Sequence, residues 1–416
     1  MNKQNNRYRW VVFTLVLFIY LLMSSQRTAP GLITEQMMLD FNITATTIGL
    51  LTSIQFFVYT GLQIPMGMMA DRFGPNFFLI IGSILTGVGT IIYSVSTSEV
   101  VLFFARVLAG TGDATIWVNM ILILSHWFTA KEFTRLIGIA AMTGSLGYLL
   151  ASVPYALLID YLGWRTSFFI SGTVLCLCGI LLYFVLLNGP KKERVRQQND
   201  VPHEKTWALL KRIFTKRQAW ALFFCHFGIV GTYVGFISSW GVPYAMNMYG
   251  MSRTAASQLI MLGLIGALIG APLAGWIASR LGMIKRPYIF VHVTLLCMWS
   301  TFLIFSGSPP LFLLLILFFM IGLSYGANAL TFAAVRQTFP VKESGLVSGF
   351  ANTGGFLSAI LLPSIFGKIL DQFQVNTGSV IEGYSYGFII PVIFSFIGLL
   401  GVMALKEKSQ LEKDVK

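Results

Sequence analysis

Three charged side chains interrupt long apolar stretches of the sequence: Arg27, Arg106 and Asp113. A charge within the hydrocarbon core of a membrane is costly, and such charges mark binding sites or ion pathways. A guanidinium keeps its charge and offers a planar fork to a carboxylate or a phosphate, whereas an aspartate can lose and regain a proton. We therefore expect Arg27 to attract an anion, and Asp113 to carry a proton or to pair with an arginine.

The spacing of these charges leaves alternatives open. Arg106 and Asp113 are seven residues apart, which places them on one face of a helix and about 10 Å apart along its axis. Either Arg106 or Arg27 could form a permanent ion pair with Asp113 that only holds helices together, but a buried pair adds little net stability. The functional interpretation is favoured for Arg27 and Asp113. For Arg106, helix bracing and a role in coupling are equally supported.

The composition requires a lipid environment. Hydrophobic residues make up 56% of the 416-residue chain and charged residues only 11%, whereas a soluble domain is about 25% charged. The net charge of +13 does not indicate nucleic-acid binding, because the basic residues lie between apolar segments rather than in one patch. Most of them fall on one side of the predicted helices, which predicts a multi-pass protein of the cell membrane with both termini in the cytoplasm.

The apolar segments predict an all-α membrane protein with twelve transmembrane helices, each about 20 residues or longer. A polar interruption at 188–218 divides the chain into two six-helix pseudo-symmetric halves. The predicted domains are an N-terminal bundle (1–188), a basic cytoplasmic linker (189–217) and a C-terminal bundle with a short tail (218–416). The predicted helices are 10–37, 45–69, 76–96, 99–127, 134–160, 164–188, 218–246, 254–280, 286–307, 310–338, 344–371 and 382–405.

An internal repeat supports the two halves. The segment "PMGMMADRFG" (65–74) aligns with "LAGWIASRLG" (273–282), and "LFFARVLAGTGDA" (102–114) aligns with "LFFMIGLSYGANA" (317–329). Such repeats are typical of secondary transporters, whose sites lie near the membrane midplane between the halves. In this alignment Gly235 corresponds to Arg27 and Asn328 to Asp113, so the second half offers no midplane cation of its own.

The pattern G-x-x-x-D-R-x-G after the second predicted helix resembles the signature loop of the major facilitator superfamily. Its residues here are Gly67, Asp71, Arg72 and Gly74. Arg106, followed by a glycine four residues later, resembles that superfamily's second motif. The resemblance covers essentially the whole chain and implies alternating access, with Asp71 facing the start of the eleventh helix as a latch. The alternative for this loop is a capped, solvated turn.

A finer resemblance concerns the substrate. Arg27 in "SQRTAPG", then Y-x-x-x-Q-x-P-x-G from Tyr59, then Arg106 and Asp113, resembles the organic-anion branch, which includes symporters for sugar acids and sugar-phosphate antiporters. That branch typically uses an arginine on its first helix for the anion and an acid on its fourth helix for the proton. Antiporters of the branch usually carry a second arginine at the position of Gly235, and its absence favours a singly charged carboxylate and proton symport.

Further candidates for substrate contact are polar or aromatic residues on the helices that would line the cavity. The alternative for each of them is ordinary helix packing or a place at the membrane interface. They are Tyr59, Tyr233, Trp240, Tyr244, Tyr325, Asn328 and Asn352.

Other functional classes lack their motifs in the sequence. The four cysteines form no disulfide framework or metal-binding spacing, no paired histidines suggest a metal site, and no phosphate-binding loop suggests an ATP-driven pump. We therefore expect no metal, no cofactor, no enzymatic activity and no nucleic-acid partner. The predicted function is proton-coupled uptake of a small organic anion by a monomer in the lipid bilayer. The alternatives are an organic-anion or sugar-phosphate antiporter, a multidrug efflux pump and a transporter-like membrane sensor.

Overall fold

The computed structural model describes residues 3–128, 130–187 and 211–406, although some side chains within these ranges are not described. This part of the chain is helical throughout, and most of the predicted linker and the last ten residues lie outside it. The helices are Lys3–Thr28, Ala29–Leu32 (3-10), Thr34–Phe41, Ala45–Phe73, Pro75–Val95, Glu99–Trp127, Ala130–Leu150, Val153–Leu162, Trp164–Leu187, Arg217–His226, Phe227–Gly231 (π), Thr232–Ile237, Gly241–Tyr249, Arg253–Leu281, Lys285–Ile304, Leu311–Gly326, Ala329–Thr338, Val341–Thr377, Val380–Gly387 and Ile389–Ala404.

Within the described ranges, twelve stretches are long and apolar enough to cross a membrane, which confirms the predicted fold class. We number them as spans in chain order. Spans 1 to 6 are Tyr8–Leu32, Ala45–Gln63, Pro75–Val95, Glu99–Leu124, Met142–Leu162 and Trp164–Leu186. Spans 7 to 12 are Arg217–Ile237, Arg253–Leu281, Lys285–Ile304, Leu311–Thr338, Gly345–Thr377 and Val380–Ala404.

The two halves pack their spans in the same way. Span 1 packs against spans 5 and 6, just as span 7 packs against spans 11 and 12. Span 2 packs against span 4 and span 8 against span 10, while span 3 pairs with span 6 and span 9 with span 12. The halves meet where span 2 contacts span 11 and where span 5 contacts span 8. These pairings give the pseudo-symmetry that the sequence repeat predicts.

Two of the predicted helices are broken at equivalent places. The first was expected to run to residue 37, but its α-helix ends at Thr28 and a 3-10 turn with Pro30 follows. The seventh was expected to run to residue 246, but turns at 238–240 separate Thr232–Ile237 from the next helix. Proline has no backbone N–H to continue the helical ladder, which explains the first break. The breaks expose backbone carbonyls that other residues can bind.

Small residues bring the helices close together. A side-chain carbon at Gly322 of span 10 would overlap the backbone of Gly263 of span 8. Gly112 of span 4 has the same relationship to Gly82 of span 3. Membrane helices gain little from hydrophobic association in lipid, so close van der Waals packing at small residues holds them together. This packing fixes span 4 and therefore its charged side chains.

The described hydrogen bonds between the halves cluster at one end of the bundle. We call it the far end, because it lies opposite the end at which Lys3–Thr28 begins and Trp164–Leu187 ends. There the Thr34 hydroxyl donates to the carbonyl of Ser239 at 2.9 Å, and the Ser239 hydroxyl donates to Thr52 at 2.7 Å. Arg253 donates to the carbonyl of Leu32 at 2.9 Å and pairs with Asp160. The far end is therefore closed.

Candidate functional site

Arg27 and Asp113 form a buried, two-pronged ion pair between spans 1 and 4. The Arg27 Nε lies 2.7 Å from Asp113 Oδ2, and Nη2 lies 3.0 Å from Oδ1. Only 5% of Arg27 and 1% of Asp113 is exposed. Arg27 occupies the last turn of its helix, where the free carbonyls favour a cation. Of the pairings that the sequence allowed for Asp113, the structure adopts the one with Arg27.

Two tyrosines of the first half contact Arg27. The guanidinium carbon lies 4.6 Å from the centre of the Tyr59 ring, a cation–π arrangement. Nη1 donates to the Tyr148 hydroxyl at 3.4 Å. Tyr59 was expected at the site from its sequence motif. Tyr148 was not, because only the packing of span 5 against span 1 brings it there.

Arg106 directs its hydrogen bonds to the backbone. Its Nε donates to the carbonyl of Leu51 at 3.3 Å, and its Nη1 donates to that of Gln26 at 3.5 Å. The guanidinium also lies 5.5 Å from the centre of the Tyr93 ring. Arg106 thus ties span 4 to spans 1, 2 and 3 and holds the peptide that precedes Arg27. Between the two roles left open by the sequence, this geometry favours bracing.

The second half contributes Tyr325 and Tyr233. Their rings pack in a tilted arrangement with centres 4.7 Å apart, and Tyr325 interacts electrostatically with Arg27 and Tyr148. Asn328 follows one turn later and donates its side-chain N–H to the carbonyl of Tyr325 at 2.9 Å. Tyr325 of the second half therefore lies near Arg27 and packs against Tyr233, and the amide of Asn328 caps the helix end at Gly326, where span 10 is interrupted before Ala329.

Trp240 and Tyr244 are engaged in the packing of the second half. The Trp240 indole N–H donates to the carbonyl of Pro363 at 3.0 Å and its ring stacks on Phe366. The Tyr244 hydroxyl donates to the carbonyl of Gly307 at 2.7 Å. Both residues are fully buried, so their placement gives the expected substrate contacts no support.

Asn352 belongs to a separate polar cluster in the second half. Its side chain hydrogen-bonds His226, and His226 Nδ1 lies 3.1 Å from the Thr331 hydroxyl. The Tyr288 hydroxyl lies 2.6 Å from that same Thr331 oxygen. The cluster connects spans 7, 9, 10 and 11. The structure therefore brings Asn352 together with His226 rather than with Arg27.

The signature loop ends the long helix of span 2. The Gly74 N–H donates to the carbonyl of Ala70 at 2.8 Å, and Gly74 has a φ of 91°, a conformation that glycine adopts without strain. The last glycine of the motif therefore ends the helix in a tight turn. The side chains of Asp71 and Arg72, like Gly67, fall outside the described part of the structure, so the latch stays a prediction.

Residues 14–363 match the Major Facilitator Superfamily. The chain belongs to the Major Facilitator Superfamily. This membership confirms the resemblance in the signature loop and in the arginine motif of span 4. It also makes the protein a membrane transporter rather than an enzyme. The Arg27–Asp113 pair is therefore a feature of a transporter, where a buried charge can bind cargo or a coupling ion.

Relatives of this superfamily member are similar over nearly the whole chain. A "Probable hexose phosphate transport protein" of Chlamydia trachomatis is 24% identical over 90% of the chain and 87% of its own length. A cis,cis-muconate transport protein of Acinetobacter baylyi is also 24% identical, over 85% of the chain and 86% of its own length.

Among solved structures, a bacterial homologue of the human lysosomal transporter Spinster is similar in fold. It was solved in an inward-facing, unoccupied conformation, and its TM-score against this superfamily member is 0.77. The two share 17% sequence identity over 96% of this chain and 98% of that one. Identity at this level supports the shared fold alone.

Proposed function

We propose that the protein takes up a small organic anion together with protons by alternating access. The observation that carries this proposal is the buried, two-pronged pair between Arg27 and Asp113. Relatives named for hexose phosphate and for cis,cis-muconate support an anionic substrate. In this proposal the transporting unit is a monomer in the cell membrane and both termini are cytoplasmic.

The geometry of the pair explains how anion and proton binding would be coupled. The carboxylate of Asp113 occupies two N–H groups of the Arg27 fork, which are the donors that a substrate carboxylate would need. If the anion replaced an ionised Asp113, the buried site would carry an excess negative charge, which is costly in a low-dielectric interior. A proton on Asp113 removes both the competition and the excess charge. The anion and the proton therefore bind together.

Alternating access would follow from rocking of residues 1–188 against 218–416. The contacts of Arg253 and Ser239 close the far end in the conformation described here. In the opposite conformation these contacts would separate, and the predicted latch at Asp71 would close the other end. Arg106 would keep Arg27 in register during this motion, since its bonds to Gln26 and Leu51 stay within the first half.

The second candidate function is exchange of an organic anion or a sugar phosphate. The Chlamydia trachomatis relative favours it. A phosphate dianion would call for a second cation beside Arg27, but Arg106 is engaged with backbone carbonyls and Gly235 stands at the position aligned with Arg27. These features favour a singly charged carboxylate, so uptake with protons is the better-supported proposal.

Uptake into proteoliposomes tests both candidates. The panel contains sugar acids, monocarboxylates and sugar phosphates, each supplied with and without an inward proton gradient. We expect a carboxylate to accumulate only when the gradient is present. Accumulation that needs internal substrate and no proton gradient would instead establish exchange.

A further inference from the structure

Aromatic side chains of both halves lie near Arg27. In the first half, Tyr59 lies under the guanidinium at 4.6 Å and Tyr148 hydrogen-bonds it. Tyr20 interacts electrostatically with Arg27 and Asp113. In the second half, Tyr325 lies within electrostatic reach of Arg27. We call these four tyrosines, Tyr20, Tyr59, Tyr148 and Tyr325, the tyrosine ring.

A second layer of aromatic residues supports three members of the ring. Phe356 lies 4.7 Å from Tyr59 between ring centres, Tyr233 lies 4.7 Å from Tyr325, and Trp117 lies 5.7 Å from Tyr20. These distances are in the range of favourable aromatic pairs. The backing limits the movement of the tyrosines, so the site holds aromatic rings in fixed positions beside one cation, and a substrate would take the place of the guanidinium or of Asp113 next to them.

Three of the amides that could bind sugar hydroxyls are engaged within the protein, whereas Gln55, one turn before Tyr59, has both side-chain amide atoms buried without a hydrogen-bond partner in the described structure. Asn328 bonds the carbonyl of Tyr325 at 2.9 Å, and Asn352 bonds His226. Asn119, one turn and a half beyond Asp113, donates to the carbonyl of Thr115 at 2.6 Å. A polyhydroxylated acid brings several hydroxyls into a buried site, and each one left without a partner weakens binding.

From these contacts we propose that the site selects a planar, conjugated carboxylate over a saturated or polyhydroxylated one. The carboxylate binds the fork of Arg27, and the flat body of the molecule packs on the tyrosine ring. The hydroxyl groups of these tyrosines can hydrogen-bond a few polar substituents on the flat body of the substrate. This inference rests on the proposed function, because it assumes that Arg27 receives the carboxylate of the substrate.

Binding of matched carboxylates to the purified protein distinguishes the preference for a planar acid from anion binding itself. Benzoate and cyclohexanecarboxylate have the same carbon skeleton and charge, and differ in planarity and conjugation; gluconate adds hydroxyls. Isothermal titration avoids the passive diffusion that complicates uptake of such acids. We expect benzoate to bind roughly tenfold more tightly than cyclohexanecarboxylate, and gluconate to bind more weakly still. Equal or reversed affinities would overturn the aromatic preference and leave anion binding intact, whereas no binding by any of the three would overturn both.

Substitutions in the tyrosine ring test whether these residues cause the preference for benzoate. Tyr59→Leu removes a flat face and keeps an apolar side chain, while Tyr59→Phe keeps the face and serves as the matched control. We expect the ratio of the benzoate and cyclohexanecarboxylate affinities to fall severalfold in Tyr59→Leu and to stay unchanged in Tyr59→Phe. Tyr325→Leu tests the opposite half in the same way. If both leucine variants bind cyclohexanecarboxylate normally and keep the benzoate preference, the tyrosine ring does not select the substrate.

Discussion

Asp371, near the far end of span 11, caps the first turn of span 2 in the other half. Its carboxylate accepts hydrogen bonds from the backbone amides of Ala45 at 2.8 Å and Thr46 at 2.7 Å. An anion at a helix N-terminus is stabilised by the free N–H groups and by the helix dipole. The arrangement mirrors the predicted latch, in which Asp71 of span 2 would face the start of span 11. The two aspartates would thus close opposite ends of the bundle.

Asp371→Asn should weaken closure of the far end. Asparagine can still accept a hydrogen bond, but loss of the negative charge at the helix N-terminus costs up to about 1 kcal/mol, which shifts the balance between closed and open far ends by up to roughly fivefold. Spin labels at Leu39 and Val375, both 82% exposed, would report the separation of the halves in a background without the four native cysteines. We expect a larger fraction of long distances. The exposed acid Glu382 supplies the control Glu382→Gln, and equal distance distributions in both variants would refute the role of Asp371.

Glu35 should make closure of the far end depend on pH. Burial raises the pKa of Glu35 above 4.5, although the hydrogen bond from Asn247 and the charge of Arg253 oppose this. When the halves separate, Glu35 is exposed to water and its pKa returns to the ordinary value. The closed conformation, in which the pKa is higher, therefore binds the proton more tightly. Closure is therefore favoured as pH falls through the raised pKa, and the gain is complete below 4.5.

The same spin-label pair measures this effect between pH 7 and pH 4. In the wild-type protein, the fraction of short distances should rise as the pH falls. Glu35→Gln, which keeps an uncharged side chain of the same size, should remove that part of the pH dependence. An identical pH profile in the variant would show that another group is responsible.

The sequence predicted the fold because long apolar runs leave few alternatives in a membrane. It did not place the breaks after Thr28 and Ile237, because the apolar pattern of both helices continues past them and outweighed the local signal of Pro30. Contacts that depend on packing could not be predicted either, and those of Arg106 are an example. Its hydrogen bonds to Gln26 and Leu51 depend on how three spans pack, which no local pattern encodes.

Residues of the candidate site could be predicted where a buried charge marked them. Residues that only helix packing brings to the site could not. A buried charge needs an opposite charge or hydrogen-bond partners, so Arg27 and Asp113 could be predicted as site residues from the sequence. Tyr148 carries no such signal, since a tyrosine in an apolar helix is ordinary. Trp240 and Tyr244 were selected for their residue type, but their polar atoms bind backbone carbonyls inside the second half.

Arg27→Lys should greatly reduce transport although it keeps the positive charge. A lysine ammonium cannot engage both oxygens of a carboxylate in a planar fork, and loss of a charge-assisted hydrogen bond costs about 2 kcal/mol, roughly a thirtyfold loss of affinity. Substrate affinity and initial uptake rate in proteoliposomes measure the effect. Arg280→Lys, at the end of span 8 and away from the site, is the matched control. Wild-type affinity in Arg27→Lys would exclude the fork as the anion's receptor.

Asp113→Asn should separate anion binding from proton coupling. The amide cannot gain or lose a proton, and it does not bring a negative charge to the Arg27 fork. We therefore expect the variant to exchange external for internal substrate in counterflow, while accumulation driven by a proton gradient is lost. Because the substitution leaves Arg27 buried without an anionic partner, its thermal unfolding should be compared with that of the wild type, and substrate should raise the unfolding temperature of the variant more. If the folded variant still accumulated substrate with a proton gradient, the proton would be carried by another residue.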